Sequence, residues 1–258
     1  MVRHESADAP PAAVEPAALR DGLPPMPGGP PHEETHFAAG QTVRDLAIGA
    51  ADGVIVPFAL AAGLAGVAAS NRLIATAGLA ATAAGCVAIG LGRYLAARTE
   101  ADHYATERRR EEKETHLYPD REKWEVAAIL HRYGVKGEVL HQAVDAIAAE
   151  RRKWVDFMMR FELDLTEPEP GRAARAATAA GAACAAGGLV PLLPYMVLAE
   201  TRPALLASCA VAGAALLGFG WLKAKATGMP ALRGAVQTLL IGGLAAAAAF
   251  VVAQAAGG

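Results

Sequence analysis

Several features are missing from this sequence, and each absence excludes a class of function. Net charge is only −2 over 258 residues, so bulk charge supplies no surface for nucleic acid. The three cysteines, Cys86, Cys184 and Cys209, form no CxxC pair. That argues against a disulfide framework or a zinc knuckle, and each cysteine reads as a small buried apolar residue. There is no Gly-rich phosphate loop, no G-x-S-x-G and no catalytic triad pattern. An ATP-driven pump is thereby disfavoured, and no enzyme chemistry is indicated. The first residues lack a basic segment followed by an apolar core and do not read as a signal peptide. Rich in Pro, Ala and Glu, residues 1–40 read as a disordered tail.

Charge is also missing locally. Between Leu46 and Ala97 the only acid is Asp52, and the only bases are Arg72 and Arg93. Most charges lie between Arg98 and Glu169, and the chain turns apolar again after Ala173. A soluble domain does not segregate its charge in this way. About 20 mostly apolar residues span a bilayer, and five stretches qualify: 42–69, 73–97, 176–198, 203–222 and 231–256. All are rich in Ala and Gly, which favours close helix packing in lipid. The expected fold is an all-α membrane protein: a tail at 1–40, two spans within 41–97, a polar helical segment at 98–170, and three spans within 171–258.

The bases in the short connections fix an expected orientation. The tail, the 98–170 segment and the 223–233 loop share the cytoplasm, with the N-terminus inside. From Leu73 to Tyr118 there is no proline, and the continuation RTEADHYATERRREEKETH is rich in helix formers. One long helix is expected to leave the bilayer near Arg98 and end at Pro119, with Arg93 snorkelling to the interface. Two further helices are expected, Asp120 to Tyr133 and Lys136 to about Leu165.

Two places could carry chemistry. In DLAIGAADGVIVPFALAAGLAG, Asp45 and Asp52 are seven residues apart and share a helix face. Pro57 cannot donate to the carbonyl of Gly53, one residue beyond Asp52. An intramembrane acid beside freed carbonyls is a cation or proton site; the plainer reading is an Asp hydrogen-bonded to a neighbouring helix. GGLVPLLPYM has a similar break, with Pro191 and Pro194 freeing the carbonyls of Gly187 and Val190. The expected translocation path therefore comprises Asp45, Asp52, Pro57, Pro191 and Pro194.

The polar segment is the second place. Glu107, Glu111 and Glu114 form one helical stripe, and Glu122 and Glu125 share a face. In WVDFMMRFELDL, Met158, Met159 and Glu162 fall within one broad face. Carboxylates alone suit Mg, Ca or Mn, and thioether sulfur shifts the preference toward Fe(II). Solvated helix faces and ordinary methionine core would produce the same spacing. Glu100–His103 and Glu138–His141 both match Glu-x-x-His, the di-iron motif, but the segment is too short for a four-helix di-iron site.

The blocks RDLAIGAADGVIVPFALAAGL, GLGRYLAARTEADHY, WVDFMMRFELDL, GGLVPLLPYM and AVQTLLIGGLAAAAAF, in this order, resemble the vacuolar iron transporter family over residues 41–256. The resemblance implies a five-span homodimer with a cytoplasmic three-helix metal-binding module between spans two and three. It implies an antiporter that removes Fe(II), or Mn(II), from the cytosol in exchange for protons, with no organic cofactor. By position, Asp52 would be the path acid, and Glu111, Glu114, Glu122, Glu125, Met158, Met159 and Glu162 the module ligands. The sequence departs from the family pattern at Ala81, Ile89 and Arg93, where a glutamate, a methionine and a glycine are usual. Those departures favour, as an alternative, a membrane-anchored metal buffer or sensor without transport.

Overall fold

In the computed structural model, residues 40–67, 69–226 and 228–257 are described. The expected tail lies almost wholly outside them. Eight helices follow one another among the described residues, with no strand: α1 (Gly40–Gly66), α2 (Asn71–Leu117), α3 (Pro119–Arg132), α4 (Glu138–Ala148), α5 (Arg151–Phe161), α6 (Arg172–Val197), α7 (Thr201–Ala226) and α8 (Ala231–Gly257). Helices α1, α2, α6, α7 and α8 are long and apolar enough to cross a membrane.

Helix α1 lies innermost. Half of its apolar window (50%) is buried by neighbours, against 11% for α8. The close packing comes from missing side chains. A Cβ on Gly49 would fall 2.2 Å from the carbonyl oxygen of Ala180, and one on Gly53 would fall 2.3 Å from that of Cys184. Both pairs are spaced by four residues, so α1 and α6 meet backbone to backbone along one turn-spaced seam. Val54, Phe58, Ala62, Ala212, Leu216 and Ala246 close one apolar cluster around α1, and Ala61, Ile74, Leu192, Tyr195 and Ala204 close another.

Ser70 caps α2 by accepting from Leu73 N. The helix then runs 47 residues, about 70 Å at a rise of about 1.5 Å per residue. That is more than twice a hydrocarbon core of about 30 Å, so its charged half, from Arg98 on, extends beyond the apolar half. The extension is laced with same-helix ion pairs, including Arg98–Asp102, Arg108–Glu112 and Arg110–Glu114. Tyr118 N closes the last turn on Glu114 O, and Pro119 takes the first position of α3.

The single helix expected from Lys136 to Leu165 is two helices, α4 and α5, separated at Ala149–Glu150, where Glu150 is extended (φ −120°). The apolar stripe passes through this break without losing phase, so the sequence shows no stop. Its cause is tertiary: Val126, Val144, Trp154 and Met158 form one core. Leu140 to Met158 along a continuous helix would span about 27 Å, too far for both ends to reach α3. Gly134 and Gly137, at φ +92° and +62°, turn the chain from α3 into α4 in a backbone region that favours glycine.

The cysteine expectation needs correction. Cys184 is buried, Cys86 half-buried and Cys209 exposed; Cys209 lies on an apolar face of α7 rather than in a core.

Candidate metal sites in the helical segment and the spans

The helical segment gathers carboxylates. Glu111 on α2 and Glu122 on α3 are each only 2% exposed. The Oε2 atom of each is buried with no hydrogen-bond partner among the described residues. A buried carboxylate oxygen left without a donor is costly, a cost that either a proton or a cation would lower. Burial, followed by the charges of Glu162, Glu122 and Glu114, pushes the Glu111 carboxyl up to about 7. Burial, followed by Glu125, Glu114 and Glu162, pushes Glu122 up to about 7. Glu162, at the C-cap of α5, is raised by desolvation and then by Glu125 and Glu114.

Five of the glutamates singled out by spacing thus repel one another: Glu111, Glu114, Glu122, Glu125 and Glu162. Glu107 shares Arg110 with Glu114, at 3.3 Å, and is not among the charges that raise Glu111, Glu122 or Glu162. Glu114 and Glu125 are steadied by Arg110 (3.2 Å) and Arg121 (3.3 Å) from their own helices. Met158 and Met159 are buried at 0% and 1%, and Met158 belongs to the segment's core. Among the described residues no three His, Cys, Asp or Glu side chains already converge at metal-ligand spacing. Like charges without a counter-ion disfavour one another's ionised form.

The spans hold the second set. Asp52 is half-buried on α1 and has no hydrogen bond or ion pair among the described residues. Its turn of α1 faces the weakened part of α6. A Cβ on Gly187 would fall 2.7 Å from Ala50 O, 3.3 Å from Val54 N and 3.4 Å from the carbonyl carbon of Gly53. Gly187 is the residue whose carbonyl Pro191 leaves without its helical donor. The turn of α1 that contains Asp52 therefore packs on the first break of α6 through Ala50, Gly53 and Val54. Pro57 and Pro191 are fully buried, and Pro194 is buried. Ser208 on α7 donates to Pro191 O at 2.7 Å.

Asp45 differs. It is wholly buried, with Arg172 Nη1 2.7 Å from Oδ2 and Arg93 Nη1 3.8 Å from Oδ1. Arg93, expected to reach toward the interface, lies 23% exposed beside Asp45 on the adjacent helix. Arg172 was not singled out by the sequence. It lies 127 residues from Asp45, and only a buried acid awaiting a counter-charge could have signalled it. Ala81 and Ile89 are half-buried on α2. Neither side chain carries a metal-binding atom.

A family model described as the VIT family matches residues 43–254. Vacuolar iron transporter 1 of Oryza sativa subsp. japonica is 47% identical over 224 residues, covering 87% of this chain and 89% of the rice protein. Vacuolar iron transporter 1 of Arabidopsis thaliana is 47% identical over 223 residues, covering 86% of this chain and 89% of the relative. Protein CCC1 of Saccharomyces cerevisiae is 31% identical over 219 residues, covering 81% of this chain and 67% of the yeast protein.

Proposed function

This chain belongs to the VIT family, and from that premise we propose that it exports Fe(II) from the cytosol across a membrane in exchange for protons. The observation that carries the proposal is the pair of buried, unsatisfied carboxylate oxygens on Glu111 and Glu122, flanked by three more glutamates. Relatives named as vacuolar iron transporters supply the metal. Glu111, Glu114, Glu122, Glu125 and Glu162 collect the ion, with Met158 and Met159 adding soft sulfur that favours Fe(II) over Mg(II) or Ca(II). Mn(II) is a second substrate of the same ligand set.

The ion then passes to Asp52, where the breaks at Pro57, Pro191 and Pro194 supply backbone oxygen. Protonation of Asp52 removes its charge and releases the ion, so proton entry and metal exit use one carboxylate in turn. In this reading the helical segment and N-terminus face the cytoplasm of a bacterial or vacuolar-type membrane. Two protomers pair, and the path runs along their seam.

The second reading, a membrane-anchored metal buffer or sensor, is favoured by Ala81 and Ile89, which remove an acid and a thioether from the spans. Reconstitution separates the two. Liposomes carrying the full chain and an imposed proton gradient are expected to move Fe(II), then Mn(II), with little Zn(II). Binding of Fe(II) without movement would establish the buffer instead.

A further inference from the structure

Two arginines flank the buried Asp45 near the inner end of α1 and have no part in the ligand set just described. Asp45 lies between them: Arg172 Nη1 is 2.7 Å from Oδ2, and Arg93 Nη1 is 3.8 Å from Oδ1. Arg172 is anchored from its other side, its Nε donating to Gln41 Oε1 at 2.7 Å. Gln41 is one turn before Asp45 on α1. The three ionised groups sum to one net positive charge. Yet neither oxygen of Asp45 accepts a hydrogen bond of good geometry, and Arg172 Nη1 donates none. The contact is held by charge and proximity, without the aligned fork that makes arginine–carboxylate pairs strong. Such a pair is exchangeable. A divalent ion carries more charge and needs no alignment, so it competes with Arg93 for Oδ1.

Position gives this pair a role. Arg93 is on α2, and Arg172 is the first residue of α6. Those two helices are where the chain leaves the spans for the helical segment and returns from it. Asp45 precedes Asp52 by two turns on one face of α1, about 10 Å along the axis. Arg93 is also close enough to Asp52 to act on it electrostatically. An ion moving from the glutamate cluster toward Asp52 meets these guanidinium groups first.

We infer that Asp45, Arg93 and Arg172 form a cation gate at the inner end of the metal path. With both arginines on Asp45 the route to Asp52 is shut. It opens when an arriving divalent ion takes the Asp45 carboxylate and Arg93 withdraws. Arg93 is the moving arm, because it is the farther from Asp45 and the more exposed of the two (23% against 14%), and Gln41 holds Arg172. Arg93 is thus a positioning residue that sets how much metal is needed before transport begins. The identity of the passenger rests on the transport reading; the gate itself rests on the geometry.

The test uses the full chain in liposomes with two readouts. The first is the Fe(II) concentration giving half-maximal flux. Arg93→Ala is expected to lower it by about tenfold with little change in maximal flux, and Arg93→Lys is expected to keep the wild-type value. The second needs no transport. Cys86 lies seven residues before Arg93 on α2 and faces Cys184 beside Gly53. In a Cys209→Ser background, a small cationic thiosulfonate that cannot cross lipid is applied, and modification of Cys86 is followed by mass spectrometry. Arg93→Ala is expected to speed it by about tenfold. If Arg93→Ala does not assemble, Arg93→Gln, which keeps most of the length, replaces it. Unchanged half-saturation together with unchanged Cys86 labelling overturns the gate. So does Arg93→Lys matching Arg93→Ala in both. If wild-type liposomes move no metal, the transport reading falls, while the labelling rates still decide the gate.

Discussion

Glu111 and Glu122 repel each other across the junction of α2 and α3, and burial holds both carboxyls at about 7, well above the ordinary 4.5. Each therefore sits at its titration point near neutral pH, and a bound cation would favour the ionised form of both. That relationship makes the segment's metal chemistry measurable.

Proton release should accompany metal binding. Below pH 4.5 both carboxyls are protonated in the folded and unfolded chain, and they contribute nothing to stability. Between 4.5 and 7 the unfolded chain loses protons that the folded chain keeps, so stability falls as pH rises, and the penalty is complete above 7. Metal needs the ionised form. Apparent affinity should therefore rise from pH 6 to pH 7 by up to about tenfold for each proton displaced, then level off. Calorimetry of the full chain in buffers of different ionisation enthalpy should show release at pH 6 that fades by pH 8.

Glu111→Gln should separate folding from binding. It removes a buried charge and leaves an amide of the same shape, so thermal stability at pH 8 should rise or hold. Metal affinity should fall by at least about tenfold, or 1.4 kcal/mol. A variant that loses both would identify Glu111 as part of the segment's packing.

Met158→Leu tests sulfur against packing. Leu is close in volume, so the core of Val126, Val144 and Trp154 should lose less than about 1.5 kcal/mol. Met158→Ala should lose about 2–5 kcal/mol. If sulfur ligates metal, Met158→Leu should weaken Fe(II) binding more than Mn(II) binding, as read by competition.

Asp52→Asn should stop coupled flux. The variant is expected to fold, because Asp52 has no ion pair or hydrogen bond to lose among the described residues. Proton-driven Fe(II) movement should drop at least about tenfold while binding to the glutamate cluster stays as before. Unchanged flux would remove Asp52 from the path.

Gly53→Ala should loosen the α1–α6 seam. Its Cβ would collide with the Cys184 backbone, and forcing the helices apart costs about 1–3 kcal/mol. Gly218→Ala on α7, where a Cβ meets nothing within 4 Å, is the control and should be neutral. Detergent melting curves of the two variants make the comparison.

The sequence by itself determined the elements that depend on local physics. Runs of some 20 apolar residues can only be satisfied as helices in lipid, so all five spans were legible within a few residues. The absence of proline between Leu73 and Tyr118 gave the long α2, and Pro119 gave its end. The spacing of the glutamates gave which of them share a helix face, because residues three and four apart do so whatever surrounds them; it did not bring the faces of different helices together.

Tertiary structure decided what depends on residues far apart in the chain. The break between α4 and α5 serves a core that only the folded segment assembles. The burial of Glu111 and Glu122 follows from how α2 meets α3, not from their own sequence. Asp45 and Asp52 look alike in the chain, yet one is clasped by arginines 48 and 127 residues away and the other is half-buried with no ion pair among the described residues. Coulomb attraction acts through space, and spacing along a helix carries no record of what packs against it.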